Sequence, residues 1–244
     1  MECLGIIPAR YQSSRFPGKP LVEIKGKPMI QRTWEQVKKA LENVVVATDD
    51  ERIKKAVDDF GGMAVMTSSG HQSGTERCGE AADIFSSNTG KKYDIIINIQ
   101  GDEPFIQPEQ IRLLADCFNE GKVDIATLVK KIDSADDIFN PNFPKAIFNK
   151  YGYAIYFSRS PLPFVRGKEE KDWIQSHDFY RHIGMYAYRP DILHKITRLE
   201  PTPLELAESL EQNRWIENGY SIKIKETTLD TIGIDIPEDI EKMK

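Results

Sequence analysis

Cysteine is scarce in this chain, and its arrangement excludes two classes of protein. The 244 residues hold 3 cysteines, Cys3, Cys78 and Cys117, with no CxxC pair and no histidine at zinc-ligand spacing. An odd, scattered set argues against a disulfide framework and a structural zinc site, and fits a reducing compartment. No apolar run approaches the ~20 residues that cross a bilayer. Met1-Glu2 leads straight into an apolar stretch, so a signal peptide is not expected and the expected location is the cytoplasm. Repeats and low-complexity segments are absent. So are the glycine-rich fingerprints: GxxxxGK[ST], GxGxxG after the first strand, and GxSxG. That excludes a P-loop enzyme and disfavours dinucleotide and nucleophile-elbow folds. A positive excess is missing too. The net charge is −5, whereas a general nucleic-acid binder is usually basic. An acidic protein that handles a phosphorylated substrate must concentrate its cations locally.

The first loop has that concentration. Cys3 to Ile7 reads as a buried strand, and the polar stretch after it carries Arg10, Arg15 and Lys19. Cations grouped on one loop after a buried strand point to a polyanion such as a nucleoside triphosphate; a solvated basic loop is the competing reading. Pro17-Gly18 suits the centre of a type II turn, and Pro20 stiffens the exit, so Lys19 is presented on constrained backbone. Small residues, Ala9, Ser13 and Ser14, let backbone N–H groups approach phosphate oxygens.

Apolar strands alternate with helices through the first half. Val44–Thr48, Ala64–Met66 and Asp94–Ile99 read as strands, with helices over about 29–41, from Asp49 or Asp50 to Gly61, over about 76–85, and from Pro108 to about Phe118. Such alternation builds a largely parallel sheet with helices on both faces. In the second half, Ala126–Val129, Lys145–Phe148, Ala154–Phe157 and Ile183–Tyr188 are closely spaced strands, which imply mixed or antiparallel additions. Pro161 to Asp178 is charged, aromatic and proline-punctuated, as a lid or subunit contact would be. Thr202 to Gly219 reads as one helix. The expected fold is α/β, three-layer αβα, with a mostly parallel mixed central sheet and a smaller antiparallel second-half extension. A single domain over 1–244 is expected, with the lid or dimerisation extension around 130–190.

Three further segments carry chemistry. Asn98-Ile99-Gln100-Gly101-Asp102-Glu103-Pro104 follows a buried strand, where open α/β sheets bind ligands. Asp102 is a candidate magnesium ligand, because magnesium takes few carboxylate oxygens and completes its shell with substrate phosphates; a turn in which Asp102 caps the helix after Pro104 is the competing reading. Asp235, after Ile232-Gly233-Ile234, is either a second ligand or the N-cap of a helix from Pro237. In Ser69 to Arg77, Ser73 and Thr75 could cap the next helix or read a base edge; spacing does not separate these.

The loops and their order resemble the 3-deoxy-manno-octulosonate (Kdo) cytidylyltransferases. The matching stretches, IIPARYQSSRFPGKPL, VVVATDD, HQSGTER, NIQGDEP, FNPN, YFSRSPLP, RHIGMYAYR, LEQNRWIENG and GIDIPEDIE, span nearly the whole chain. The family pattern has an acidic residue before HQSGTER, where this chain has Gly70. The resemblance implies a nucleotide-diphospho-sugar transferase fold of Rossmann-like type, a homodimer, CTP and Kdo as substrates, and Mg2+. It implies Arg10 and Lys19 on the triphosphate and Asp102 and Asp235 on the metal, these four being the catalytic set. Ala9, Ser13, Ser14, Ser73, Gly74, Thr75, Arg77 and Gln100 would complete the nucleotide site. For the sugar acid it implies Gln100, Arg159, His182, Tyr186, Glu211 and Gln212. Each has a plainer alternative: His182 as a satisfied core residue, Tyr186 as a packed strand aromatic, Glu211 and Gln212 as a solvated helix face. Two other functions stay open at this level, transfer to another acidic sugar such as 8-amino-Kdo or a sialic acid, and a nucleotide-binding regulator without catalysis.

Overall fold

Residues 1–12, 16–230, 233–234 and 236–241 are described by the computed structural model of the protein. The chain divides into two compact units, Met1–Ala115 with Met185–Thr197 and Thr231–Lys244, and Asp116–Gly184 with Arg198–Asp230.

The first unit opens with β1 (Cys3–Ala9), the short hairpin β2 (Glu23–Ile24) and β3 (Lys27–Pro28), and α1 (Met29–Lys38). It continues through β4 (Asn43–Thr48), α2 (Glu51–Asp59), β5 (Ala64–Met66), α3 (Gly74–Thr89), β6 (Ile95–Asn98) and α4 (Pro108–Asp116). β1 is central and parallel to both β4 and β6, and β4 is parallel to β5. Every residue of β4 and β6 is buried, as strands covered on both faces must be, which is why they read as unbroken apolar runs. Because these strands are parallel, Ala9, Thr48 and Asn98 end at one edge of the sheet, and the loops that follow share it.

The second unit contains β7 (Ile125–Lys131), α5 (Ala135–Phe139), β8 (Lys145–Phe148), β9 (Ala154–Ser158), α6 (Trp173–Ser176) and the start of β10 (Tyr180–Tyr188). The end of β10 and α7 (Pro190–Ile196) belong to the first unit, where Tyr186–Tyr188 pair antiparallel with β6. The second unit resumes with α8 (Pro203–Glu208), α9 (Glu211–Glu217) and β11 (Ile222–Glu226), and α10 (Pro237–Glu241) closes the first. β11 is parallel to β7, while β8 is antiparallel to β9 and β10. The mixed sheet and its antiparallel extension are as the sequence implies.

Several boundaries differ from the sequence reading. β1 continues past Pro8 to Ala9, because near a strand's end the N–H that proline lacks is dispensable. The hairpin β2–β3 is unforeseen; Lys25 and Gly26 both take positive φ, the turn that matches strand twist. The helix over 202–219 is two helices, broken where Ser209 adopts a left-handed conformation. The stretch 161–178 is partly anchored: Trp173 is buried in a cluster with Ile132, Ile138 and Phe179.

Candidate active site

The cationic loop is held by its turn. Lys19 N–H donates to the Phe16 carbonyl at 3.2 Å, and Gly18 has φ 72° and ψ 8°, the values of the third residue in a type II turn. A side chain at Gly18 would meet the Tyr11 ring at 3.2 Å, and the Arg52 guanidinium lies 3.3 Å from the centre of the same ring. Lys19 therefore leaves fixed backbone. Its Nζ donates to Asp102 Oδ2 at 2.6 Å and to the Ile234 carbonyl at 2.9 Å.

Asp102 arrives from β6. Ile99 N–H continues the ladder to the Ile6 carbonyl at 3.0 Å, and the chain then crosses the end of β1. The crossing needs glycine: a Cβ on Gly101 would stand 2.9 Å from the Pro8 carbonyl oxygen. The Asp102 side chain is 32% exposed, and its second carboxylate oxygen has no hydrogen bond among the described residues. An oxygen open to the cavity, with substrate phosphates to complete the shell, fits magnesium. Among the described residues no three His, Cys, Asp or Glu side chains form a ready-made cage. Ser13, Ser14 and Asp235 lie outside the described residues.

The third contributor is the start of α3. Ser73 caps it, its hydroxyl accepting the Glu76 N–H at 3.2 Å. Gly74 sits tight against Pro8, 3.3 Å from a would-be Cβ, which brings the helix start to the end of β1. Thr75 is buried behind it. Arg77 is 3% exposed and already committed, to Thr67 Oγ1 at 2.6 Å and Asp49 Oδ2 at 3.0 Å. Ala9, Arg10, Lys19, Ser73, Gly74, Arg77, Gln100 and Asp102 line one cavity of about 210 Å3, together with Pro8, Pro20, His71 and Gly101. Lys19 is balanced by Asp102 and Arg77 by Asp49, whereas Arg10 is exposed with no ion-pair partner among the described residues. The cavity therefore favours an anion, and the N–H groups of a 16-residue helix add to it. His71 was not singled out by residue type, although it stands inside the HQSGTER stretch.

Of the expected sugar contacts, Gln100 and Tyr186 lie in the first unit. Gln100 lines the cavity, and the buried Tyr186 ring stacks 6.0 Å from Tyr188. The other four lie in the second unit. Arg159 is pinned by carbonyls: Nε to Glu208 at 2.7 Å, and the two terminal nitrogens to Pro141 at 2.9 Å and Ser209 at 3.4 Å. Those bonds use part of its donor set, so its first task is to hold the α8–α9 break against residue 141. His182 Nε2 is 3.0 Å from Thr127 Oγ1, and burial pushes its pKa down to about 3, so the ring is neutral. Glu211 opens α9, and Gln212 is buried with its amide nitrogen unpartnered among the described residues. Two residues here had no sequence signal. Glu208 accepts from the Ser158 hydroxyl at 2.5 Å and the Arg159 N–H at 2.8 Å, which outweigh burial and hold its carboxyl below the usual range. Lys145 is fully buried, donates to the Asn140 carbonyl at 2.9 Å, and has its pKa lowered by that burial.

A cationic loop, a carboxylate and a helix start, gathered where parallel strands end, are the layout of a nucleotidyltransferase. The sequence model of the cytidylyltransferase family matches residues 4–226. A 3-deoxy-manno-octulosonate cytidylyltransferase from Parabacteroides distasonis is 58% identical over 246 residues, covering 99% of this chain and 96% of its own. One from Cytophaga hutchinsonii is 56% identical over 243 residues, covering 98% and 95%. The solved structure of CMP:2-keto-3-deoxy-manno-octonic acid synthetase complexed with CTP superposes with a TM-score of 0.89 at 40% identity, covering 100% of this chain and 97% of its own. The chain belongs to the cytidylyltransferase family, among its 3-deoxy-manno-octulosonate members. A cytidylyltransferase from Leptospira borgpetersenii, at TM-score 0.59 and 21% identity, covering 100% of this chain and 85% of its own, shares the fold.

Proposed function

We propose that this protein transfers CMP from CTP to Kdo, giving CMP-Kdo and pyrophosphate, and so activates Kdo for lipopolysaccharide. The observation that carries the reading is the single cavity where Arg10, the Lys19–Asp102 pair and the start of α3 meet. The anomeric hydroxyl of Kdo attacks the α-phosphorus, and the bond to the pyrophosphate oxygen breaks in line. Such chemistry needs positioning and charge stabilisation more than covalent help. Arg10 and Lys19 neutralise the triphosphate, and Lys19 faces the charge that grows around the α-phosphate. Asp102 holds magnesium, with Asp235 as the second ligand by resemblance. When bound, the metal supplies further neutralisation of the phosphate oxygens.

For the sugar acid, Gln100 and Tyr186 act from the first unit. His182, being neutral, exchanges hydrogen bonds with hydroxyls rather than pairing with the carboxylate, and the Gln212 amide nitrogen, with no partner among the described residues, offers a donor. Arg159 and Glu211, also of the second unit, are assigned to the sugar acid by resemblance alone. The protein works as a homodimer in the cytoplasm; no helix among the described residues is long and apolar enough to cross a membrane.

The test is pyrophosphate release with magnesium, Kdo and each nucleoside triphosphate in turn. Release should require both CTP and Kdo, and Lys19→Ala should lower kcat by about 100-fold or more. Release with a different sugar acid in place of Kdo would reassign the acceptor. Unchanged turnover in Lys19→Ala would remove the role given to that residue.

A further inference from the structure

The loop between β5 and α3 is tied down by carboxylates that the phosphate chemistry does not use. Glu76 and Glu80 stand one turn apart on α3, where like charges repel. Donors from the loop fill the gap between them. Glu80 Oε2 accepts the Ser68 N–H at 2.8 Å and lies 2.5 Å from His71 Nε2. Glu76 Oε2 accepts the Gln72 N–H at 2.8 Å and lies 3.7 Å from His71 Nδ1. Within the loop, Ser68 Oγ accepts the Gly70 N–H at 3.1 Å, and the Gly70 carbonyl accepts the Gln72 amide at 2.9 Å. His71 is thus clamped between two carboxylates while its ring forms part of the cavity wall. Glu80 is not in that wall. Its carboxyl is held below the usual range although burial alone would raise it, because the Ser68 N–H and His71 outweigh burial.

We propose that Glu80 is a positioning residue: through His71 and Ser68 it sets the wall of the nucleotide cavity, and with it the affinity for CTP but not the chemical step. The proposal rests on the reading of this cavity as the CTP site. Glu80 bonds Ser68 and His71 and none of Arg10, Lys19 and Asp102, the groups placed on the triphosphate and the metal, so its loss acts on binding. Hydrogen bonds that a carboxylate accepts are worth enough that losing the clamp should weaken binding about tenfold. A glutamine in its place still accepts the Ser68 N–H and still bonds the imidazole.

The experiment measures CTP affinity by calorimetry and, separately, steady-state turnover. Glu80→Ala should raise both the Kd and the KM for CTP about tenfold, leave kcat within about twofold, and leave the KM for Kdo unchanged. Glu80→Gln should restore most of the affinity. An alanine variant that binds CTP like the wild type, or loses kcat at unchanged KM, overturns the proposal. If Glu80→Ala does not fold, Glu80→Asp decides: the carboxylate stays but falls one methylene short of the Ser68 N–H and the imidazole, so CTP binding should weaken at unchanged kcat, and wild-type affinity overturns the proposal. Wild-type protein that binds CTP but releases no pyrophosphate would sink the transferase reading, while the calorimetric comparison would still judge the clamp.

Discussion

Lys19 and His182 show how far surroundings decide what a residue does. Lys19 is rigid because a proline-glycine turn holds its backbone and Asp102 holds its ammonium group. His182 faces a different constraint. Its imidazole meets the Phe157 ring edge-on at 4.9 Å, and burial pushes its pKa down to about 3. The unfolded chain binds a proton there below about pH 6.5, while the folded one does not until near the lowered pKa. Unfolding therefore takes up a proton in that window, and stability falls as the pH drops through it, by at most about 1.4 kcal/mol per pH unit. Urea unfolding of the wild type and of His182→Gln from pH 7 to pH 5 checks this, because ordinary carboxylates titrate mostly lower. The variant should show the flatter profile; parallel profiles would mean that His182 takes its proton in the fold.

Among the elements, the α8–α9 break has the clearest physical origin. Ser209 has φ 52° and ψ 48°, a conformation that crowds a Cβ, and Arg159 bonds the carbonyls on both sides of it, at Glu208 and Ser209. Beyond the break, Gln212 to Trp215 of α9 are buried. Since the backbone conformation is imposed and the side chain only tolerates it, Ser209→Gly should stabilise the protein by about 1 kcal/mol. A urea midpoint that stays or falls would show that the serine side chain carries a stabilising contact. The start of α3 was legible to within two residues, because Ser73 has the chemistry of a cap. The hairpin β2–β3 was not, since a Lys-Gly turn between such short strands leaves too little periodicity to see.

At the scale of the whole molecule, the second unit exposes Tyr151, Ile155 and Phe164, large apolar groups that water solvates poorly. Their exposure agrees with the proposed homodimer. Light scattering at micromolar concentration should report twice the chain mass, and a single-chain mass would reject it. The sequence by itself determined the alternation of buried strands and helices, since strands covered on both faces must be apolar throughout. It also determined the cationic loop, since Pro17-Gly18 admits few backbone conformations. Membership of the family was legible in ordered motifs. What only tertiary structure decided are the pairings across distance. Lys19 meets Asp102 because β1 and β6 are parallel neighbours and Gly101 lets their ends cross. Arg77 meets Asp49 across 28 residues, and Arg159 bonds the carbonyls of residues 141, 208 and 209. The surroundings of Glu80 and Lys145, His71 and Ser68 for one and the Asn140 carbonyl for the other, are likewise set only by packing. Local pattern encodes which segments are buried; which charges meet depends on strand order and on the close contacts that order allows.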